Sequence, residues 1–308
     1  MIKKVPESIV YPSISVAIAT YNGEKYLEEQ LDSILSQTLK PSEIIVCDDQ
    51  STDGTREILE KYQQKGLIKY FVNDKRLGFI GNFKRAVSLT SPENYIALSD
   101  QDDIWLPSKI QAAAELLLKI EGSNRPAMVY SDLVLVDEDK NLLNKSFRNE
   151  LGQGGYIHCL ETLLFGSFVN GCTMLMNPNM RNYFSSIPEK GTLNHDTWMS
   201  LIAYTFGEVA VVPDSLILYR RHSNNATDVG NFHKLGRFSR LWAEVLRSFK
   251  KNDLFEDQIS FVSEFYTTFQ QDLNEEQKNL IQKFLKLKGK SYLEKKIALR
   301  MFFRGKWK

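Results

Sequence analysis

The chain has 308 residues, with 39 Lys and Arg against 38 Asp and Glu and a net charge of +1. So even a balance leaves no global field for nucleic acid or another polyanion. At 43% hydrophobic and 25% charged the composition is globular and excludes fibrous and disordered classes. Cys47, Cys159 and Cys172 are too few and too scattered for a disulfide framework or a zinc knuckle, and they point to a reducing compartment.

Along the chain, Met1–Glu7 lacks the long apolar core of a signal peptide, and no apolar run is long enough to span a bilayer. A cytoplasmic location is the resulting expectation. Ser15–Ala19 reads as a strand, Leu27, Leu31, Ile34 and Leu35 as one helix face, and Glu43–Cys47 as a second strand. Thr55–Lys65 reads as helix, Ile68–Val72 as strand, Asn82–Leu89 as helix and Tyr95–Leu98 as a buried strand. This β-α-β-α order predicts an α/β fold with a mostly parallel sheet flanked by helices, and ligands in such sheets bind beyond the carboxyl ends of the strands.

Those strand ends hold the polar clusters. The first gives Thr20-Tyr21-Asn22-Gly23, the second Asp48-Asp49 with Gln50–Thr55, the fourth Ser99-Asp100-Gln101-Asp102-Asp103-Ile104-Trp105. Helix capping explains Ser51 and Thr52 but not two adjacent carboxylates at a strand end. Three carboxylates within four residues repel one another unless a cation sits among them, and hard oxygen ligands suit Mg²⁺ or Mn²⁺. An acid-rich turn before a helix starting at Pro107 is the plainer alternative.

Farther on, Ala127–Asp132 is a strand ending in an acid, 133–143 resembles a hairpin, and Gly152–Gly155 is a loop with no phosphate fingerprint. Asn194-His195-Asp196-Thr197-Trp198 opens a helical pattern, where Asp196 is a cap or something more. Ser215–His222 is a strand running into Arg220, Arg221 and His222, a solvated surface or a diphosphate clamp. From Lys234 onward only helical patterns follow. From Lys283 to the end ten basic residues face one acid, Glu294.

The ordered motifs carry a resemblance. Ser15–Gly23, Ser33–Thr38, Glu43–Thr55, Asn73–Asn82 with Leu77-Gly78, and Asp100–Pro107 together resemble family 2 glycosyltransferases of the GT-A fold, over roughly residues 13–225. Ser99–Trp105, His195-Asp196-Thr197-Trp198 and Leu218–Asn225 extend the resemblance to a rhamnosyltransferase-like subgroup, from which Arg221 and Ser223 depart. The resemblance implies a GT-A catalytic domain over 1–225 and leaves 226–308 as a helical C-terminal region.

It also implies site roles. Thr20 and Tyr21 lie beside the nucleotide, and Asp49 accepts the pyrimidine imide N–H. Asp100 and Asp102 form the Asp-x-Asp pair, with Asp102 the direct ligand of Mn²⁺ or Mg²⁺ and Asp103 supporting. Asp196 is the base, with His195 where many relatives carry Glu and Trp198 alongside. Arg220 binds the diphosphate, and His222 ligates the metal or touches the diphosphate. The implied activity is inverting, metal-dependent transfer of a sugar, rhamnose among the candidates, from a dTDP- or UDP-sugar to a glycan acceptor in surface polysaccharide assembly. Other readings are a sugar-1-phosphate nucleotidyltransferase, disfavoured because Ala19–Gly23 is not a basic glycine-rich loop, and a non-catalytic nucleotide-sugar binder. The basic-aromatic C-terminus suits an anionic lipid surface and a lipid-linked acceptor, so peripheral contact with the inner face of the cell membrane is a further expectation.

Overall fold

The computed structural model describes residues 10–122, 124–189, 194–222 and 254–302. Strand β1 (Ile14–Thr20) is buried at nearly every position, which is why its sequence runs apolar rather than alternating. It lies between β2 (Glu43–Asp48) and β4 (Tyr95–Ser99), parallel to both, and β3 (Lys69–Val72) extends the sheet parallel to β2. Helices α1 (Leu27–Leu35), α2 (Thr55–Gln64) and α3 (Gly78–Leu89) make the crossovers. The 68–72 strand starts one residue later than its apolar run, and α3 starts four residues before Asn82.

After β4 come β5 (Ile104–Trp105), α4 (Lys109–Ile120), β6 (Ala127–Tyr130), β7 (Val134–Val136), β8 (Leu142–Asn144), β9 (Leu175–Met176), α5 (His195–Phe206), β10 (Glu208–Val211) and β11 (Ile217–Arg220), one-turn helices being left unlabelled. The main sheet has the order β10-β6-β9-β4-β1-β2-β3, in which β9 alone runs antiparallel to its neighbours. A second sheet, β5-β11-β7-β8, brings β11 beside the acidic loop after β4. The expected hairpin is β7-β8, closed by the Asp137 carboxylate accepting from Asp139 and Asn141 backbone N–H groups.

Helices α6 (Glu256–Phe269), α7 (Glu275–Leu285) and α8 (Tyr292–Phe302) share one buried cluster with α5. Phe261 and Phe265 of α6 meet the Trp198 ring edge-on at 5.2 and 5.4 Å. The 225/226 boundary falls among residues outside those described. No described helix is long and apolar enough to cross a membrane.

Candidate active site

A cavity of about 270 Å³ opens at the carboxyl ends of β1, β2 and β4, lined by Thr20, Tyr21, Asp49, Asp100, Asp102, His195 and Asp196 among others. Residues as far apart in sequence as Ala19 and Tyr219 meet there because parallel strands end on one side of the sheet.

Its first wall is stitched from the β1 and β2 tips. The Asn22 backbone N–H donates to Ser51 Oγ at 2.9 Å, and the Thr52 N–H donates to Asn22 Oδ1 at 2.8 Å. Ser51 and Thr52 therefore join two loops; the N-cap of α2 is Gly54. Gln101 clamps Tyr21, accepting from its N–H at 2.9 Å and donating to its carbonyl at 3.0 Å. A Cβ on Gly23 would sit 2.4 Å from that Gln101 oxygen, so the clamp needs glycine there. Arg76 stacks 3.8 Å over the Tyr21 ring at the cavity mouth.

The adjacent carboxylates of β2 separate in role. Asp48 is fully buried and accepts from the Ser51 N–H, Thr20 Oγ1 and Arg56 Nε. Asp49 reaches the cavity but already accepts from Asn73 Nδ2 at 2.8 Å and from the Leu77 and Gly78 N–H groups at 2.7 and 2.8 Å. Gly78 has φ +73°, a conformation that favours glycine. Three of about four acceptor positions on Asp49 are thus used, leaving one on Oδ2.

At the β4 end the three carboxylates have different surroundings. Burial, then the charges of Asp102 and Asp196, push the Asp100 carboxyl up to about 7. Asp103 is fully buried behind the cavity and rises well above its ordinary range, from burial and from Asp102 and Asp100; among the described residues neither carboxyl oxygen has a geometrically sound hydrogen bond. Cys172 brings its sulfur within 4.8 Å of oxygens of both Asp100 and Asp103, and burial keeps it a thiol. Asp102 faces His222, Oδ2 to Nε2 at 2.9 Å. Carboxylates crowded until two are pushed toward neutrality are a donor set that a hard divalent cation would relieve, so the residues fit Mn²⁺ or Mg²⁺. The protonated, soft thiol of Cys172 does not suit either ion.

Asp196 lies one residue inside α5, whose N-cap is Asn194. Its carboxylate accepts from the Thr197 N–H at 2.6 Å, yet burial outweighs this and lifts it to about 6. Beside it, His195 is buried against Phe83 and Phe79, and burial pushes its imidazole down to about 3.

Two expectations change. Arg220 is expected on the diphosphate, but it is 2% exposed and does not line the cavity. It donates to the Asp102 carbonyl at 3.1 Å, the Glu138 carbonyl at 2.9 Å and Glu29 Oε2 at 2.5 Å, so it braces the acidic loop from behind. Trp198 lies in the core shared with α6, donating Nε1 to Ser186 Oγ at 2.9 Å, away from the cavity. Sequence reasoning missed Arg76, Phe79, Asn170, Gly171 and Asn194 as lining residues. Arg76 and Phe79 had a signal, their places on either side of Leu77-Gly78, and Asn194 stood in the run that holds Asp196.

Comparison with known proteins gives a family match, several relatives and a fold. The Glycosyl transferase family 2 model matches residues 15–155. An uncharacterized glycosyltransferase of Rickettsia prowazekii is 26% identical over 250 residues, covering 80% of this chain and 76% of that one. Another, from Haemophilus influenzae, is 28% identical over 228 residues, with coverage of 71% and 69%. The dTDP-rhamnosyl transferase RfbG of Shigella flexneri is 42% identical over 106 residues, 33% of this chain and 37% of that one. The S. aureus TarS 1-349 structure in complex with UDP-GlcNAc matches with TM-score 0.59 at 18% identity, over 89% of this chain and 70% of that one. At that identity the likeness speaks for the fold, a mostly parallel sheet flanked by helices as in GT-A structures.

Proposed function

With a family 2 glycosyltransferase domain over residues 15–155, the chain is a glycosyltransferase, and from that premise we propose that it is an inverting, metal-dependent enzyme using a dTDP- or UDP-sugar. The observation that carries this is the convergence of Asp49, Asp100, Asp102 and Asp196 on one cavity. Asp196 takes the proton of the acceptor hydroxyl as its oxygen attacks the anomeric carbon. The bond to the nucleoside diphosphate breaks on the opposite face, so one displacement inverts the centre and one base suffices. Asp102, with Asp100 and His222 beside it, would hold Mn²⁺ or Mg²⁺, which when bound offsets charge on the leaving diphosphate. Rhamnose is the transferred sugar favoured by the RfbG likeness, and a glycan of surface polysaccharide assembly, lipid-linked, is the acceptor. Incubation with dTDP-rhamnose, UDP-galactose, UDP-glucose and UDP-GlcNAc should release free nucleoside diphosphate from one of them and add that sugar's mass to an acceptor. Release from none would remove this reading.

Asp49 reads the base. Because it also holds the start of α3, Asp49→Asn is the cleaner substitution: it keeps an oxygen for one backbone N–H and loses the charge. Donor binding should weaken by about 1–3 kcal/mol, the range for a hydrogen bond with a charged partner. UDP or dTDP should outcompete GDP on the wild type; equal inhibition by all three would contradict base reading.

The C-terminal helix is the proposed contact with the inner face of the membrane. On α8, Leu293, Ile297 and Met301 recur every four residues and are 66%, 48% and 64% exposed. Its other face is anchored by Phe302 against Phe165 and by buried Lys295 on Glu256. Removing 291–308 would therefore strip core contacts, whereas replacing the three apolar residues by Gln leaves the anchor. Lys296 and Arg300 flank the stripe, and each basic group near an anionic leaflet adds on the order of 1 kcal/mol, falling with salt. The triple Gln variant should keep transfer to a soluble acceptor and lose co-sedimentation with phosphatidylserine-containing vesicles at low salt. A wild type that ignores such vesicles removes the membrane contact.

A further inference from the structure

His195 is 2% exposed, and neither ring nitrogen has a hydrogen-bond partner among the described residues. Its ring stacks on Phe83 with centroids 4.5 Å apart at 30°, and packs tilted against Phe79 at 5.1 Å. The imidazole is neutral across the physiological range, because burial disfavours its cation. One nitrogen is therefore an N–H donor and the other an acceptor. An unpaired buried polar group destabilises a fold, and phenylalanine would fill nearly the same footprint against the same aromatic rings without that cost. The position is better suited to a ligand than to the packing around it.

The surroundings indicate which ligand. His195 lines the cavity with Asp196, its neighbour in sequence, and with Phe79, Asn170 and Asn194. Gly171 adjoins both: a Cβ there would stand 2.7 Å from His195 Nε2 and 3.7 Å from Asp196 Cβ. Glycine at 171 lets the imidazole edge stand this close to the base, in space that any side chain there would contest. Phe79, 40% exposed, offers an apolar ring at the same place.

We propose that His195 is a specificity residue for the sugar, hydrogen-bonding a ring hydroxyl of the hexose while Phe79 packs on its C–H face. A hydroxyl both donates and accepts, so either imidazole tautomer serves. His195 lines the cavity with both nitrogens covered, so a turn of the ring on sugar binding brings one of them to the hydroxyl. This assignment rests on the nucleotide-sugar donor reading above.

The test uses the full-length enzyme with His195→Phe, His195→Leu and His195→Gln. Calorimetry measures affinity for UDP and dTDP alone and for UDP-GlcNAc and dTDP-rhamnose, and kcat/KM is measured on the sugar nucleotide that is turned over. His195→Phe should unfold at a temperature no lower than the wild type and bind the free diphosphates within about twofold, while kcat/KM falls about tenfold, the effect of one lost hydrogen bond to substrate. His195→Leu should show the same selective loss if the larger ring does not fit. His195→Gln, whose amide offers a donor and an acceptor, should recover part of the loss. Unchanged kcat/KM in both apolar variants, or equal losses for diphosphate and sugar nucleotide alongside a lower Tm, would overturn the assignment and leave the donor reading standing. A wild type that binds none of the four compounds would remove the donor reading, and this assignment with it.

Discussion

Asp196→Asn is expected to lower kcat by roughly 10²-fold or more while leaving affinity for the nucleoside diphosphate unchanged, as befits a residue acting only as proton acceptor. The substitution isolates that role because the surroundings tolerate it. Asparagine keeps an oxygen for the Thr197 N–H that the carboxylate now accepts. The helix start does not depend on position 196, since the N-cap is Asn194. What is lost is basicity, and the pH profile should report it. Burial places the Asp196 carboxyl at about 6, so the active, deprotonated form prevails above that value and is depleted below it. The wild-type rate should therefore fall as pH drops through about 6, and the residual rate of Asp196→Asn should lack that limb. A near wild-type rate in the variant would mean that Asp196 only orients the start of α5 and that another group takes the proton.

Much of the frame was legible in the sequence because the signals were local. Apolar runs such as Ile96–Leu98 are buried because both faces of a central parallel strand are covered. The cavity polar groups follow from the same rule, since successive strand tips share one side of the sheet. Side-chain direction at those tips was not legible. Asp48 and Asp49 read as a pair, yet adjacent residues in extended chain point oppositely, and only Asp49 reaches the cavity. Arg220 read as a phosphate clamp because its partners, Glu29, the Glu138 carbonyl and the Asp102 carbonyl, come from three distant segments. Trp198 sits in a motif with Asp196, but a helix turns neighbouring residues to different faces. Two positions on, the side chain enters the core with Phe261 and Phe265. Asn170 and Gly171 gave no signal at all, since a cavity wall built from loops has no periodicity.

Asp102→Ala is expected to abolish transfer and to weaken UDP or dTDP binding in Mn²⁺ or Mg²⁺, because it removes a hard ligand from the acidic cluster. The fold should survive the change. The loop is braced through the Asp102 main chain, whose carbonyl accepts from Arg220 Nε, and the substitution leaves that bond in place. Locally it frees His222 from its 2.9 Å contact with Oδ2. It also removes one of the two like charges that push Asp100 up, so the Asp100 carboxyl should move back toward its ordinary range. Chelation separates a metal role from a purely electrostatic one. In EDTA the wild type should lose transfer and bind the diphosphate as weakly as Asp102→Ala does in Mn²⁺, and the variant should be insensitive to the chelator. Losses from substitution and from chelation should not add, since both remove the same interaction. Full wild-type transfer in EDTA would discard the metal and leave Asp102 as a charged partner for His222 alone.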